Sequence, residues 1–137
     1  LTCPKACWRV TDTVLLVEDE LFIALDLQAT IEAEGFRVDG PYTTLAEAQE
    51  AIARHQARFA AAVLDVRLAD ATVFPAADQL DAAGVPIIFH SGHADEGEMR
   101  RRYAAATVCT KPSPPVALAA ALRRSVGRDD ERMRAAG

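Results

Sequence analysis

Glu18 and Asp19 put two carboxylates side by side, Asp65 adds a third, and Ser91 and Lys111 contribute a hydroxyl and an ammonium. Taken singly, such residues have ordinary uses: Asp and Ser cap helices and shape turns, and Lys is commonly solvated. Taken together they define a chemistry. Clustered carboxylates repel one another, and a hard divalent cation such as Mg²⁺ relieves that repulsion, because it takes oxygen ligands, keeps several waters and shares its site with phosphate oxygens. Phosphoryl transfer spreads charge over the equatorial oxygens, so its site needs a cation, a placed nucleophile and donors for those oxygens. In this set Asp65 is the nucleophile, Mg²⁺ and Lys111 supply positive charge, and Ser91 supplies a hydroxyl donor.

These residues can meet only if the elements before them run side by side. From Thr13 the chain alternates short β-rich runs with helical patterns, as a parallel sheet covered by helices on both faces requires. Thr13-Val14-Leu15-Leu16-Val17 reads as a strand buried on both faces and ends at Glu18-Asp19-Glu20. Leu21 to Glu34 follows as a helix, with Ile23, Ala24, Leu27 and Ile31 at helical spacing and Gly35 as its C-terminal stop. Phe36 to Gly40 alternates as a second strand closed by Gly40-Pro41, and Thr44 with Glu47 forms a capping box for a helix reaching about Gln56. Ala60 to Leu64 is the third strand, ending at Asp65; Val73 to Ala83 is a helix with Pro75 in its first turn, stopped by Gly84. Val85 to His90 is the fourth strand, followed at once by Ser91-Gly92. A polar helix from about Asp95 to Ala105 leads to the fifth strand, Thr107 to Thr110, which ends at Lys111-Pro112. The last helix is expected from about Pro115 to Val126, ended by Gly127. All five chemical residues thus stand at strand C-terminal ends, where ligands bind in open parallel sheets.

The 137 residues suit one domain, with residues 1–12 as an N-terminal extension, 13–127 as the domain and 128–137 as a charged tail. Half of the residues are hydrophobic and 26% charged, which excludes wholesale disorder, collagen and coiled coil. A net charge of -5 argues against DNA or RNA as the default partner. No apolar stretch is long enough to insert in a membrane, the first residues lack signal-peptide features, and an odd count of 3 cysteines points to a reducing, cytoplasmic setting. Cys3 and Cys7 have no companion pair at zinc spacing.

The arrangement Val17-Glu18-Asp19-Glu20, Val63-Leu64-Asp65, Phe89-His90-Ser91-Gly92 and Thr110-Lys111-Pro112 resembles the receiver domain of bacterial two-component response regulators, over about Thr13 to Val126. The string from Thr72 to Leu80, with Gly84-Val85-Pro86 and Phe89 to His93, resembles a subgroup of stand-alone alphaproteobacterial receivers. The resemblance implies an α/β fold: a doubly wound, five-stranded parallel sheet of flavodoxin-like order 2-1-3-4-5. It further implies that Asp65 is the phosphoacceptor, that Asp19 binds Mg²⁺ directly and Glu18 mainly through water, and that Asp65 and the backbone carbonyl of Arg67 complete the protein's share. Lys111 would pair with the phosphoryl group, Ser91 would be the switch hydroxyl, Gly92 the small residue that leaves access, and Lys111-Pro112 a step often found cis.

The implied partners are a sensor histidine kinase or phosphotransfer protein as donor and a downstream protein as target. The output surface would be the face of the fourth helix, fifth strand and fifth helix, where Arg100, Arg101 and Arg102 lie, more simply read as a solvated face paired with Glu98. Taken as a whole protein, the chain would be a single-domain regulator acting by protein contacts or as a phosphoryl shuttle or sink. It would be no enzyme beyond its own phosphorylation and dephosphorylation.

Three positions depart from the pattern or tune it. Val108 stands where the family often has an aromatic switch residue, which puts the usual ring-to-hydroxyl coupling in question. Arg67 and His93, two residues beyond Asp65 and Ser91, are expected to slow dephosphorylation by shielding the phosphoryl oxygens. Three other readings remain open. A phosphatase of the haloacid-dehalogenase type would need an acid/base Asp where Arg67 stands, and a serine hydrolase would need a Gly-x-Ser-x-Gly elbow that Ser91 lacks. A receiver-like scaffold that works without phosphorylation would typically have lost a site residue, and none is missing. His90 and His93 are read as core and loop histidines.

Overall fold

A computed structural model describes residues 12–92 and 96–136, with 128–136 as backbone alone. The elements are β1 (Thr13–Val17), α1 (Leu21–Ala33), β2 (Arg37–Tyr42), α2 (Leu45–Arg54), β3 (Ala61–Asp65), α3 (Phe74–Ala82), β4 (Ile87–Ser91), α4 (Glu96–Arg102), β5 (Thr107–Thr110) and α5 (Pro115–Ala136). The strands form one parallel sheet in the order β2-β1-β3-β4-β5. That is the doubly wound, flavodoxin-like arrangement expected, with the order reversing beside β1.

The continuous apolar strands divide between two cores because successive side chains point to opposite faces. Leu15 and Val17 of β1, Ala62 and Leu64 of β3 and Phe89 of β4 pack under α2, α3 and the Met99 and Tyr103 side chains. Val14, Leu16, Ala61, Val63 and Ile88 face the other way, against Leu27 and Ile31 of α1 and Leu118 and Leu122 of α5.

Local signals account for most element ends. Thr44 Oγ1 accepts from the Glu47 N–H at 3.1 Å, while Glu47 reaches back to the Thr43 N–H at 3.3 Å, one residue earlier than in a regular capping box. Pro75 lies in the first turn of α3, where its missing N–H costs nothing. Gly35, at φ +91°, stops α1 in the left-handed conformation.

Three expectations need correction. Gly40-Pro41 does not close β2, which continues to Tyr42 across a cis bond and a register shift opposite Leu15 and Val17. As an edge strand β2 can accept a proline without losing a ladder bond to a second neighbour. Gly40 sits at φ +124°, and a Cβ there would collide with the Leu16 carbonyl oxygen. Gly127 does not end α5: its φ is not positive and the helix runs on to Ala136, since a helical glycine costs only about 1 kcal/mol. Finally, α2 stops at Arg54 rather than Gln56, because Gln56 and Ala57 take φ of 52° and 54°. Cys3, Cys7 and His93 lie outside the described residues.

Candidate functional site

The five parallel strands end on one rim, and the sheet order sets their C-terminal residues next to one another. β1 delivers Glu18, whose N–H donates to the Tyr42 carbonyl at 2.9 Å, so the extra length of β2 helps to fix it. β3 ends in Asp65 and β4 in Ser91. The Lys111 N–H, just past β5, donates to the Ser91 carbonyl at 2.7 Å, continuing the ladder by one residue.

The side chains converge. Lys111 Nζ lies 3.1 Å from Glu18 Oε1 and 3.2 Å from Asp65 Oδ1, bridging the two carboxylates. One carboxylate oxygen from each of Glu18, Asp19 and Asp65 falls within 4.8 Å of the others. Glu18 is fully buried, Asp65 and Ser91 are buried, and Asp19 is partly exposed. The loop beyond Asp65 is held by Val73 N–H to Val66 O at 2.8 Å, Leu68 N–H to Ala71 O at 2.9 Å and an Arg67–Thr72 bridge, which ties down the Arg67 backbone. The Ser91 hydroxyl donates to the Gly92 carbonyl at 2.9 Å. A Cβ at Gly92 would meet nothing within 4 Å, so the rim is open there. The Lys111-Pro112 peptide is cis.

Charge is not balanced here. Three carboxylates face one ammonium, and two of them are out of water. Burial pushes Asp65 up to about 8, with the Glu18 carboxylate adding to the effect and Lys111 opposing it. Burial acts the same way on Glu18, but His90, Asp65 and Lys111 outweigh it and draw that group down to about 2. Lys111 would be lowered by burial, yet Asp65 and Glu18 raise it. The two carboxylates therefore titrate as a coupled pair, in which burial and Glu18 favour the protonated form of Asp65. A hard cation fits this donor set: clustered carboxylate oxygens, surplus negative charge and an open side.

Two residues given no site role from the sequence belong to the account. His90 is buried, with Nδ1 3.7 Å from Glu18 Oε1 and Nε2 3.0 Å from Ser113 Oγ. Its alternation in β4 looked like that of a core residue, and only the register beside β5 reveals its neighbours. Tyr103, just after α4, is buried and packs on Phe74 and Phe89, its hydroxyl 2.5 Å from Asp78. Burial and then Asp78 push that phenol above its ordinary range. Val108 pairs in register with Phe89 and adds no ring, and Tyr103, five residues earlier, is the residue that packs its ring on Phe89 and Phe74.

No protein-family profile matches the chain. It is 30% identical over 115 residues to the phyllosphere-induced regulator PhyR of Methylorubrum extorquens, a match covering 82% of this chain and 43% of that protein, so it spans less than half the relative's length. Its fold is similar to that of a response regulator receiver protein from Sinorhizobium medicae, with a TM-score of 0.75 and 24% identity over 84% of this chain and 94% of the other. The PhyR response regulator REC domain of Erythrobacter litoralis is similar with a TM-score of 0.71 and 25% identity, covering 85% of this chain and 90% of that one.

Proposed function

The chain is a receiver domain of the response-regulator type, and on that premise we propose that Asp65 accepts a phosphoryl group from a phosphohistidine donor. The observation that carries this reading is the Asp65 carboxylate at a strand end, 3.2 Å from Lys111 and clustered with Glu18 and Asp19 on an open rim. In the transfer an Asp65 carboxylate oxygen forms a bond to phosphorus as the donor's P–N bond breaks. The electron pair stays with the departing imidazole, which takes a proton from water.

A Mg²⁺ ion held by Glu18, Asp19, Asp65 and the Arg67 carbonyl supplies charge neutralisation for the phosphoryl oxygens when bound. Lys111, freed from part of its pairing, meets a phosphoryl oxygen, and the Ser91 hydroxyl exchanges the Gly92 carbonyl for another. The added charge of about -1.5 to -2 draws Ser91 and Lys111 inward and shifts α4, β5 and α5 between two packings, the surface a target protein reads. Catalysis extends no further than the domain's own phosphorylation and dephosphorylation. No described helix is long and apolar enough to cross a membrane, and the domain works in the cytoplasm with protein partners rather than DNA, as an adaptor or a phosphoryl shuttle or sink.

The donor is a protein. Leu21, Phe22 and Leu25 of α1 and Val116 of α5 are the large exposed hydrophobics among the described residues, and they adjoin Ile23 and Pro115, which line the cleft reaching Lys111. Phe22→Asp is expected to slow transfer from a protein donor and to leave acetyl phosphate unaffected; equal slowing with both would remove α1 as the docking face.

The primary test is intact mass after incubation with acetyl phosphate and Mg²⁺, beside Asp65→Asn. One phosphoryl adduct, absent from the variant and lost with chelator, supports the reading. No adduct, and no response to beryllium fluoride either, would replace it with a scaffold that works without phosphorylation.

A further inference from the structure

A cleft of about 430 Å³ opens between α1 and the segment joining β5 to α5, lined among others by Ile23, Leu27, Ser113 and Leu118, and touched by both Lys111 and His90. His90 is 5% exposed and stands between the carboxylate site and the wall of the cleft. One ring nitrogen is 3.0 Å from Ser113 Oγ, in the cleft wall, and the other is 3.7 Å from Glu18 Oε1, in the carboxylate site. His90 Nδ1 is buried without a hydrogen-bond partner, and Glu18 Oε1, held by Lys111 at 3.1 Å, makes no bond to it.

An unbonded polar atom out of water is costly, and His90 Nδ1 facing a carboxylate oxygen just beyond bonding distance marks an arrangement that a small shift would complete. A neutral imidazole carries one N–H and one lone pair, and a carboxylate can only accept. A hydrogen on Nδ1, aimed at Glu18, leaves Nε2 to accept from the Ser113 hydroxyl, which rotates to suit. Glu18 is also the carboxylate that Lys111 grips at 3.1 Å. When the rim is loaded and Lys111 turns to the phosphoryl group, Glu18 loses part of that partner and His90 is the adjacent donor that can replace it.

We propose that His90 is a positioning residue that couples loading of the carboxylate site to the Lys111–Pro112–Ser113 segment and so to the shape of the α1–α5 cleft. Closing the Nδ1–Glu18 gap draws the ring toward the site, and Ser113 follows it. This rests on the phosphoacceptor reading of Asp65, and a docked donor would consequently meet a different cleft before and after transfer.

The test is amide NMR of the full chain with Mg²⁺ and beryllium fluoride. Arg67 reports on the site, and positions 113, 116 and 118 report on the cleft. In the unsubstituted protein both sets shift. In His90→Phe, which keeps the volume, and in Ser113→Ala, the Arg67 response persists. The cleft response falls to about a fifth, the factor that one hydrogen bond of ordinary net strength carries. His90→Gln, which restores a polar end toward Ser113, recovers it. Cleft shifts of full size in Ser113→Ala overturn the coupling, as does a loss in His90→Phe that Gln fails to rescue. Should His90→Phe not fold, Ser113→Ala and His90→Gln decide alone. An unsubstituted protein that shows no Arg67 response brings down the phosphoacceptor reading itself, whereas an Arg67 response without a cleft response overturns only the coupling.

Discussion

The rim of the sheet and the aromatic cluster between α3 and α4 are built from similar parts and finished in opposite ways. At the rim, three carboxylates cluster, two of them share the Lys111 ammonium, and His90 Nδ1 is buried without a hydrogen bond. In the cluster, the Tyr103 hydroxyl meets Asp78, Arg102 lies over the Phe74 ring at 4.6 Å and pairs with Asp78 at 3.3 Å and Glu98 at 3.8 Å. One region holds unspent interaction capacity and the other has satisfied its own. Stability and ligand chemistry are thus assigned to different places, and an unbalanced buried charge is the mark of the second.

The largest expected effect deepens that imbalance. Lys111→Met removes the ammonium that bridges Glu18 and Asp65, and Mg²⁺-dependent adduct formation from acetyl phosphate should slow by about a thousandfold, as when a single donor to transferring oxygens is lost. Added Mg²⁺ should recover lost stability and leave the rate slow. A rate within tenfold of the unsubstituted protein would mean that Lys111 serves only to hold Glu18 and Asp65 together.

Tyr103→Ala attacks the balanced side. Removing a buried aromatic ring should cost about 3 kcal/mol of unfolding free energy by chemical denaturation. Tyr103→Phe, which removes only the hydroxyl and its contacts with Asp78 and the Phe74 carbonyl, should cost about 1 kcal/mol. Adduct formation on Asp65 should survive both. If Tyr103→Phe abolished it, the cluster and the rim would be one unit, and the contrast between them would fail.

The rim also has a pH signature, read with chelator present. Asp65 ionises near 3.8 when unfolded and at about 8 in the fold, so the native state holds the extra proton between those values, and its stability falls as pH rises through them. Glu18 works in the opposite sense lower down, its contribution growing as pH rises from about 2 to 4.5. Stability should therefore peak near the upper end of that window and decline toward pH 8 by about 1 to 2 kcal/mol, allowing for solvent screening. Asp65→Asn should flatten the decline. Mg²⁺ should reverse it, because the cation favours the deprotonated pair. A profile that rises steadily to pH 8 without metal would show that the two carboxylates do not share a proton.

The rim was legible in the sequence because strand ends are defined by the chain itself: once Thr13 to Val17, Ala60 to Leu64 and Val85 to His90 read as parallel strands, Glu18, Asp65 and Ser91 had to emerge on one edge. His90 and Tyr103 were not, since what gives each its role is a partner 23 or 25 residues away that no periodicity reports. Gly40-Pro41 and Gly127 misled for a different reason. Both are local breakers, and tertiary context overrode them: an edge strand forgives a proline, and a long helix forgives a glycine.

The smallest expected effect gives the contrast its sharpest edge. Arg102 is the outermost member of the cluster, its side chain 40% exposed, with two ion pairs and two ring contacts. Exposed ion pairs contribute little, and a partly solvated cation over a ring contributes about 0.5 to 1 kcal/mol. Arg102→Ala should therefore destabilise by no more than about 1 kcal/mol. Salt separates the sources, because it screens the pairs with Asp78 and Glu98 and leaves the short contact with Phe74 nearly intact. If half or more of the loss persists at high salt, the rings and not the charges seal this face. Deleting a charge here then has little consequence, whereas deleting Lys111 from the rim removes a function, because only the rim depends on charge that its own residues leave unmatched.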